Sequence, residues 1–452
     1  MHHLTQSLGK INRAILRLAI PAILSNITVP LLGLSDTFIS GHLGSELYIA
    51  AIAVGTMLIN SLYWLFGFLR MGTTGLTAEA FGRRDDLQSR RVFTTAFILA
   101  FSIGVFLILM NWPLAKLLLW IMQPSEATGT LAEEYFRISI MAAPAFLGTM
   151  TVTGWMIGSQ NTLYPMIVAI AVNIINIALS FTMVFGLEWG FYGVALGTCV
   201  ANWCGLLIAL LLAHRLAGGR RLWAPVRHLL REMDMSRFFR VNSDLMLRSA
   251  CIMAVLFAMT SFAGRMGDMT LAVNAVLMQF FMFYSYFMDG FAFSGEALSG
   301  RFVGENNPQG ISQVIKGLLL WALAMILIFT STYMIALQPI AAMLTDEIPV
   351  VDGVTAMKWV VCTIPVISAA AFLFDGIYIG MTATRRLLLT TLTAMAAFFI
   401  VMLPRLLDIE VPVSPNNLLW TAFMLFLLLR GGLLAIFLRS TITRQIHRLH
   451  HD

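Results

Sequence analysis

Five acidic side chains, Asp36, Asp244, Asp289, Glu296 and Asp375, fall in stretches that otherwise read as apolar. A carboxylate in a spanning helix costs about 2.5–3.5 kcal/mol on insertion scales, so it takes a cationic partner, water or a proton. Asp36 has the most telling surroundings. The stretch from Leu16 to Gly44 reads LRLAIPAILSNITVPLLGLSDTFISGHLG and carries Pro21 and Pro30. Proline frees a backbone carbonyl and marks a place where a helix bends. A bendable helix with a titratable acid converts protonation into movement. The alternative is an acid near the end of its span that reaches interfacial water.

The other charges come with candidate partners. Asp244 and Arg248 are four apart and face the same way, as a structural or gating salt bridge or as coupling groups. Asp289 sits in FMFYSYFMDGFAFSGEALSG, which also holds Glu296, and Asp375 precedes Gly376 and Gly380. Small residues four apart let helices approach closely. Each acid is a candidate proton or cation site, unless an arginine such as Arg137 or Arg248 neutralises it. Asn173 and Asn176, in VNIINIALSF, share a helix face. Their oxygens can accept from a protonated acid or coordinate a cation; the plainer reading is helix–helix hydrogen bonding, worth about 0.6 kcal/mol per contact. The run MQFFMFYSYFM, Met278–Met288, offers thioethers and π faces to a lipophilic cation, or faces lipid.

Elements must carry these groups, and composition says what kind. The chain is 59% hydrophobic and 12% charged, with a mean hydropathy of +0.83. That excludes a soluble domain and fits an all-α polytopic membrane protein. The net charge of +6 is not read as nucleic-acid binding. Cys199, Cys204, Cys251 and Cys362 form no CxxC, so neither a metal site nor a disulfide framework is expected. GxxxxGK[ST], HExxH and GxSxG are absent, and the histidines fall at termini or in loops. No enzyme and no cofactor are expected. MHHLTQSLGKINR lacks a cleaved-signal pattern, so the first span should stay in the protein.

Twelve apolar stretches have spanning length, at about 16–40, 47–70, 92–112, 135–158, 163–186, 191–213, 243–263, 270–295, 313–337, 356–380, 387–407 and 417–438. Basic residues crowd alternate connections: Arg83, Arg84, Arg90 and Arg91 in one, and Arg215, Arg220, Arg221, Arg227, Arg231, Arg237 and Arg240 in another. The opposite connections hold only Lys116, Arg265, Lys358 and Arg405. The positive-inside rule then makes both termini cytoplasmic. LWAPVRHLLREMDMSRFFR reads either as an interfacial helix or as a tether with a solvated face.

The halves repeat at an offset of 222. It carries Gly82 to Gly304, Gly154 and Gly158 to Gly376 and Gly380, and Ile49, Ala50, Ala53 and Val54 to Leu271, Ala272, Ala275 and Val276. The expected organisation is a lobe at 1–213, a basic linker at 214–240 and a second lobe at 241–452. Two parallel six-helix lobes with no nucleotide motif point to alternating access around a cavity.

At this point SDTFISGHLG, RMGTTGLTAEAFGRRD and YPMIVAIAVNIINIALSFTMVFGLEWGFYGVALGT resemble the multidrug and toxic compound extrusion (MATE) transporters. AVNAVLMQFFMFYSYFMDGFAFSGEALSGRFVG and FLFDGIYIGMTATRR resemble the DinF-type branch. The resemblance runs from about Arg17 to Gly380. It implies a V-shaped pair of pseudo-symmetric six-helix lobes that expels lipophilic, mostly cationic drugs in exchange for protons or sodium. It also implies that Asp36 titrates, that Pro21 is the hinge, and that Asn176 and Thr198 belong to the amino-terminal cation site. Some members carry a second acid four residues after that asparagine; here the position is Ser180, which favours H+ over Na+ as coupling ion. A flippase of lipid-linked saccharides is the alternative. It would favour a cationic cavity, whereas the five acids here match or exceed Arg70, Arg137, Arg248 and Arg430. The expected setting is a bacterial plasma (inner) membrane, with a monomer in contact with lipids and small-molecule substrates.

Overall fold

The structure, a computed structural model, describes residues 2–43, 45–219, 221–225, 234–407, 409 and 412–448. The side chains of residues 2–8, 31, 32, 34, 36, 37, 40 and 448 fall outside that description. The Asp36 carboxyl is among them, although its backbone is helical. The middle of the basic linker, 226–233, also lies outside the described residues, and with it the interfacial-helix reading.

Among the described residues, sixteen α-helices follow one another. They are α1 His2–Gly41, α2 Glu46–Leu65, α3 Phe68–Gly82, α4 Asp86–Leu109, α5 Asn111–Met122, α6 Glu126–Ser139, α7 Ala143–Gly158 and α8 Leu163–Phe181. Then come α9 Gly190–Leu216, α10 Met235–Arg265, α11 Asp268–Gly304, α12 Pro308–Leu344, α13 Ile348–Ala356, α14 Lys358–Gly380, α15 Thr384–Leu406 and α16 Pro415–Arg448. Twelve spans are long and apolar enough to cross a membrane among the described residues. Helices α2 with α3, and α6 with α7, each form one span, while α5 and α13 lie between spans.

Two spans run further than apolarity alone indicates. The second extends to Gly82 rather than 70, and the eighth to Gly304 rather than 295. Their last turns are rich in Thr, Ser and Glu, yet Thr73, Thr74, Thr77, Glu79, Ser294, Glu296 and Ser299 are buried. All of these hydroxyls but that of Thr77 bond back within the helix: Thr73 and Thr74 donate to Leu69 O and Arg70 O at 2.6 and 2.9 Å, Ser294 to Phe291 O at 2.7 Å, and Ser299 to Gly295 O at 2.6 Å. A hydroxyl bonded back to its own turn keeps a helix dry without apolar residues.

The internal repeat holds at the level of single contacts. Helix α7 crosses α3 with Gly154 on the Arg70 carbonyl and Gly158 on Thr74 O and the Thr77 side chain. Helix α14 crosses α11 with Gly376 on the Ala292 carbonyl and Gly380 on Glu296 O and the Ser299 hydroxyl. Every partner in the second crossing lies 222 residues after its counterpart in the first. Turn geometry repeats as well. Arg84 and Asn306 have φ of 57° and 53°, Gln160 and Thr382 have 64° and 54°. Asp85 and Asn307 cap the helices that follow, accepting from Gln88 N and Gly310 N at 2.9 Å each.

The chain divides into two compact units, Leu24–Asn242 and Met1–Ile23 with Ser243–Asp452. The first part of α1 therefore groups with the second half of the chain, not with 24–213. The contacts explain it: Gly317 of α12 packs on Ile15 and Asn12, and Gly290 of α11 packs on Ala19 O and Ile23.

The crossings yield a direct expectation. A valine at Gly380 would drive its Cβ into the Glu296 carbonyl of α11, and backbone cannot swing away. Overpacking of this kind costs about 1–3 kcal/mol or more. Gly380→Val should lower the melting temperature of the purified protein by several degrees. Gly432→Ala, with nothing within 4 Å of its Cβ position, should leave it unchanged.

Candidate functional site

In the Leu24–Asn242 unit, a chain of polar side chains joins three helices. Asn173 of α8 donates through Nδ2 to Thr28 O of α1 at 3.3 Å. Asn176, one turn on, donates to Thr198 Oγ1 of α9 at 3.1 Å, and its Oδ1 accepts from Ser180 Oγ at 3.3 Å. Thr198 in turn donates to Val194 O at 3.0 Å, and Asn202 donates to Thr198 O at 2.8 Å. Asn176 and Ser180 are buried. The two asparagines share a helix face, but each reaches a different neighbour.

The sequence fixes this arrangement through size. A Cβ at Gly197 would lie 2.5 Å from Ser180 Oγ and 2.8 Å from Ser180 N. Helix α9 thus approaches α8 at Ser180 because residue 197 has no side chain, and a longer side chain at 180 would meet that backbone. Thr28 lies eight residues before Asp36, about 12 Å along a helix. Asn173 therefore ties the polar chain to the same helix that carries Asp36.

The other unit holds a second charged centre. Asp375 of α14 accepts from Arg248 of α10 and Arg430 of α16, both through one carboxylate oxygen. All three side chains are at least nine-tenths buried. Asp289 of α11 lies close enough to interact with the charge of Arg430. With Asp289 ionised, Arg248, Arg430, Asp375 and Asp289 cancel. With Asp289 protonated, the group carries one net positive charge. Asp244 is also buried; it accepts from Thr384 Oγ1 at 3.0 Å and lies 3.6 Å from Arg385.

The structure thus brings Asn173, Asn176, Ser180 and Thr198 together, and Arg248, Arg430 and Asp375 in a separate centre, with Asp289 within electrostatic reach of Arg430. Glu296 is buried on the α11 face against Gly380. Pro21 lies inside α1, two residues before the division of the chain at Ile23 and Leu24. Arg137 serves no intramembrane acid in the described contacts, pairing instead with Glu133 of its own helix at 2.6 Å. Sequence reasoning missed Glu79, which accepts from Arg83 and Arg237. The signal was there: an acid flanked by small residues in GLTAEAFG, just before two arginines. Among the described residues, no group of three His, Cys, Asp or Glu side chains converges to hold a metal ion.

Comparison with known proteins now decides the family. The MatE family model matches twice, over residues 21–182 and 245–404. The chain belongs to the MatE family. The ends of the two matches, 182 and 404, are 222 residues apart, the offset of the internal repeat. The chain is 34% identical over 425 residues to DNA damage-inducible protein F of Escherichia coli, covering 94% of this chain and 91% of that protein. It is 24% identical to the chloroplastic Protein DETOXIFICATION 44 of Arabidopsis thaliana, over 84% of this chain and 74% of the relative. Its fold matches the Vibrio cholerae MATE transporter VcmN in the bent form, with a TM-score of 0.84 at 14% identity over 97% and 99% of the two chains. A MATE structure in the straight conformation matches with a TM-score of 0.82 at 19% identity over 96% and 97%. This MatE chain is a polytopic multidrug and toxic compound efflux transporter, not an enzyme.

Burial sets the size of the next expectation. Removing one member of a buried ion pair costs about 3–5 kcal/mol, whereas an exposed pair four residues apart on a helix is worth about 0.3–0.5 kcal/mol. Asp375→Asn should lower the unfolding midpoint sharply by strapping two arginines into an apolar interior without their carboxylate. Arg137→Gln, at a side chain 45% exposed, should barely move it. Thermal denaturation of both variants in the same detergent makes the comparison.

Proposed function

We propose that this MatE transporter exports lipophilic, mostly cationic small molecules in exchange for protons by alternating access, with Asp36 as the titrating group. The observation that carries the reading is the polar chain from Thr28 through Asn173, Asn176, Ser180 and Thr198, anchored to the helix that bears Asp36. Protonation of Asp36 removes its charge and its hold on a cation. Helix α1 then bends near Pro21, and the substrate leaves. The proton is released on the cytoplasmic side in the returned state. The basic connections support an orientation with both termini in the cytoplasm of a bacterial cell.

Coupling to H+ rather than Na+ is favoured by Ser180. Its small side chain sits against Gly197 and bonds to Asn176, in the place where a second acid would supply oxygens to a metal cation. Sodium, a hard cation, prefers several oxygen ligands.

Energetics calls for a second proton. Exchange of one H+ for one monovalent cation moves no net charge, so the membrane voltage, worth about 2.3 kcal/mol per charge per 100 mV, does no work. Only the pH gradient then drives export, at about 1.4 kcal/mol per unit. Asp289 is the second titrating group in this reading, because its protonation changes the net charge of Asp289 together with the Arg248–Asp375–Arg430 centre from neutral to positive.

The test is efflux of a fluorescent lipophilic cation from proteoliposomes of the purified protein, with a pH or a sodium gradient imposed separately. The wild type should export under the pH gradient alone, and Asp36→Asn should fall to the protein-free rate while remaining folded. Export under the sodium gradient alone, or full export by Asp36→Asn, overturns the reading.

A further inference from the structure

The two halves exchange the openings of their first helices. Residues 1–23 group with Ser243–Asp452, and residues up to Asn242 group with the first half, yet α1 and α10 run unbroken through both divisions. The divisions are nearly equivalent. The repeat offset carries Ile23 to Leu245, three residues from Asn242.

The two openings are held by different chemistry. On α10, Arg237 offers Nη1 to Glu79 Oε1 at 3.2 Å and Nη2 to Glu79 Oε2. Such a two-pronged pair fixes orientation as well as position. Glu79 is buried and also accepts from Arg83 at 2.7 Å, while Arg237 is 23% exposed, so the pair is not sealed on the Arg237 side. Phe238 follows in the apolar cluster of Leu76, Val92 and Ala96. Asn242, at the division itself, is buried against Gly72; its Nδ2 donates to Phe238 O at 2.9 Å, but its Oδ1 has no hydrogen-bond partner among the described residues.

On α1, the residue equivalent to Arg237 is Ile15, which is fully buried against Gly317. The pair equivalent to Glu79 and Arg83 is Arg301 and Glu305, again bonded at 2.7 Å but with the charges in the opposite order. Position 15, the counterpart of Arg237, carries an aliphatic side chain in place of a charge. At equivalent positions, one opening is therefore seated through a charge pair with an exposed edge and the other through a buried aliphatic side chain.

We propose that Glu79 and Arg237 are positioning residues of the transport cycle: they seat residues 235–242 as a strap that lifts when the carrier changes state, while the apolar seat of α1 persists. The inference rests on the alternating-access reading above. Lifting the strap breaks the Arg237–Glu79 pair and frees Asn242 Oδ1 to find a partner, so the seated state already holds one unmet polar group that release satisfies.

Two measurements on the full-length protein test it. In lipid nanodiscs, amide hydrogen exchange of residues 235–242 should rise about tenfold in Arg237→Gln. Arg237→Lys should restore it toward the wild-type rate, and exchange of residues 9–23 should not change. Equal exchange in Arg237→Gln and the wild type overturns the strap. Separately, Glu79→Cys with Arg237→Cys, in a background in which Cys199, Cys204, Cys251 and Cys362 are serine, is joined by a short reducible bis-thiol reagent. The cross-linked protein should lose the cation efflux that the same double-cysteine variant shows before cross-linking, while still binding the cation, and reduction should return efflux to that starting level. Undiminished efflux by the cross-linked protein overturns the proposal. A wild type that exports no cation under either gradient counts against the export reading, and the exchange measurement then decides the strap by itself.

Discussion

Two helix crossings carry this molecule, α7 on α3 and α14 on α11. In lipid there is no hydrophobic drive to press one apolar helix on another, so close packing of backbones must supply the association. Gly154 and Gly158, and Gly376 and Gly380, allow that approach by placing the bare face of one helix on the carbonyls of the other. Each crossing also fixes its surroundings. Helix α3 presents Glu79 at its end, and α14 presents Asp375 one residue before its glycine pair. The charged groups of both units are thus set by where two glycine pairs let the chain come close.

The charges divide into two kinds of centre. Asp375 is clamped by two arginines in an apolar interior, an arrangement with no easy exit for either sign. The amidic and hydroxyl chain around Asn176 holds no charge of its own and leans on α1 through Thr28. A neutral polar chain can receive a proton-bearing or cation-bearing carboxyl with little reorganisation, whereas a tight ion triad resists change. This contrast is why the titrating role is assigned to Asp36, with Asp289, at the border of the clamped centre, as the second group.

Much of the fold was legible in the sequence because lipid imposes strong rules. Spanning length fixed the twelve spans, and the glycine spacing at 154, 158, 376 and 380 exposed the repeat, since only close helix contact explains it. The span ends at Gly82 and Gly304 were misjudged because threonine and serine can be buried by bonding to their own helix, which hydropathy scores as loop. Among site residues, Asn173 and Asn176 were marked by their shared helix face, and the contacts to α1 and α9 follow from it. The partners of Asp375 were harder: Arg430 is 55 residues away in sequence and Arg248 is 127 away, so periodicity says nothing of either. Glu79 and Arg237, separated by 158 residues, were invisible for the same reason.

The central claim is that a proton and a cationic substrate compete through Asp36. The most direct measurement is proton release when the purified transporter binds a lipophilic cation such as tetraphenylphosphonium in weakly buffered detergent, followed with a pH-indicator dye at saturating ligand. The account predicts that the wild type releases protons on binding and that Asp36→Asn, which lacks the carboxylate, binds the cation more weakly and releases fewer protons per cation bound. Binding with no proton release by the wild type, or equal release by the two proteins, would contradict it.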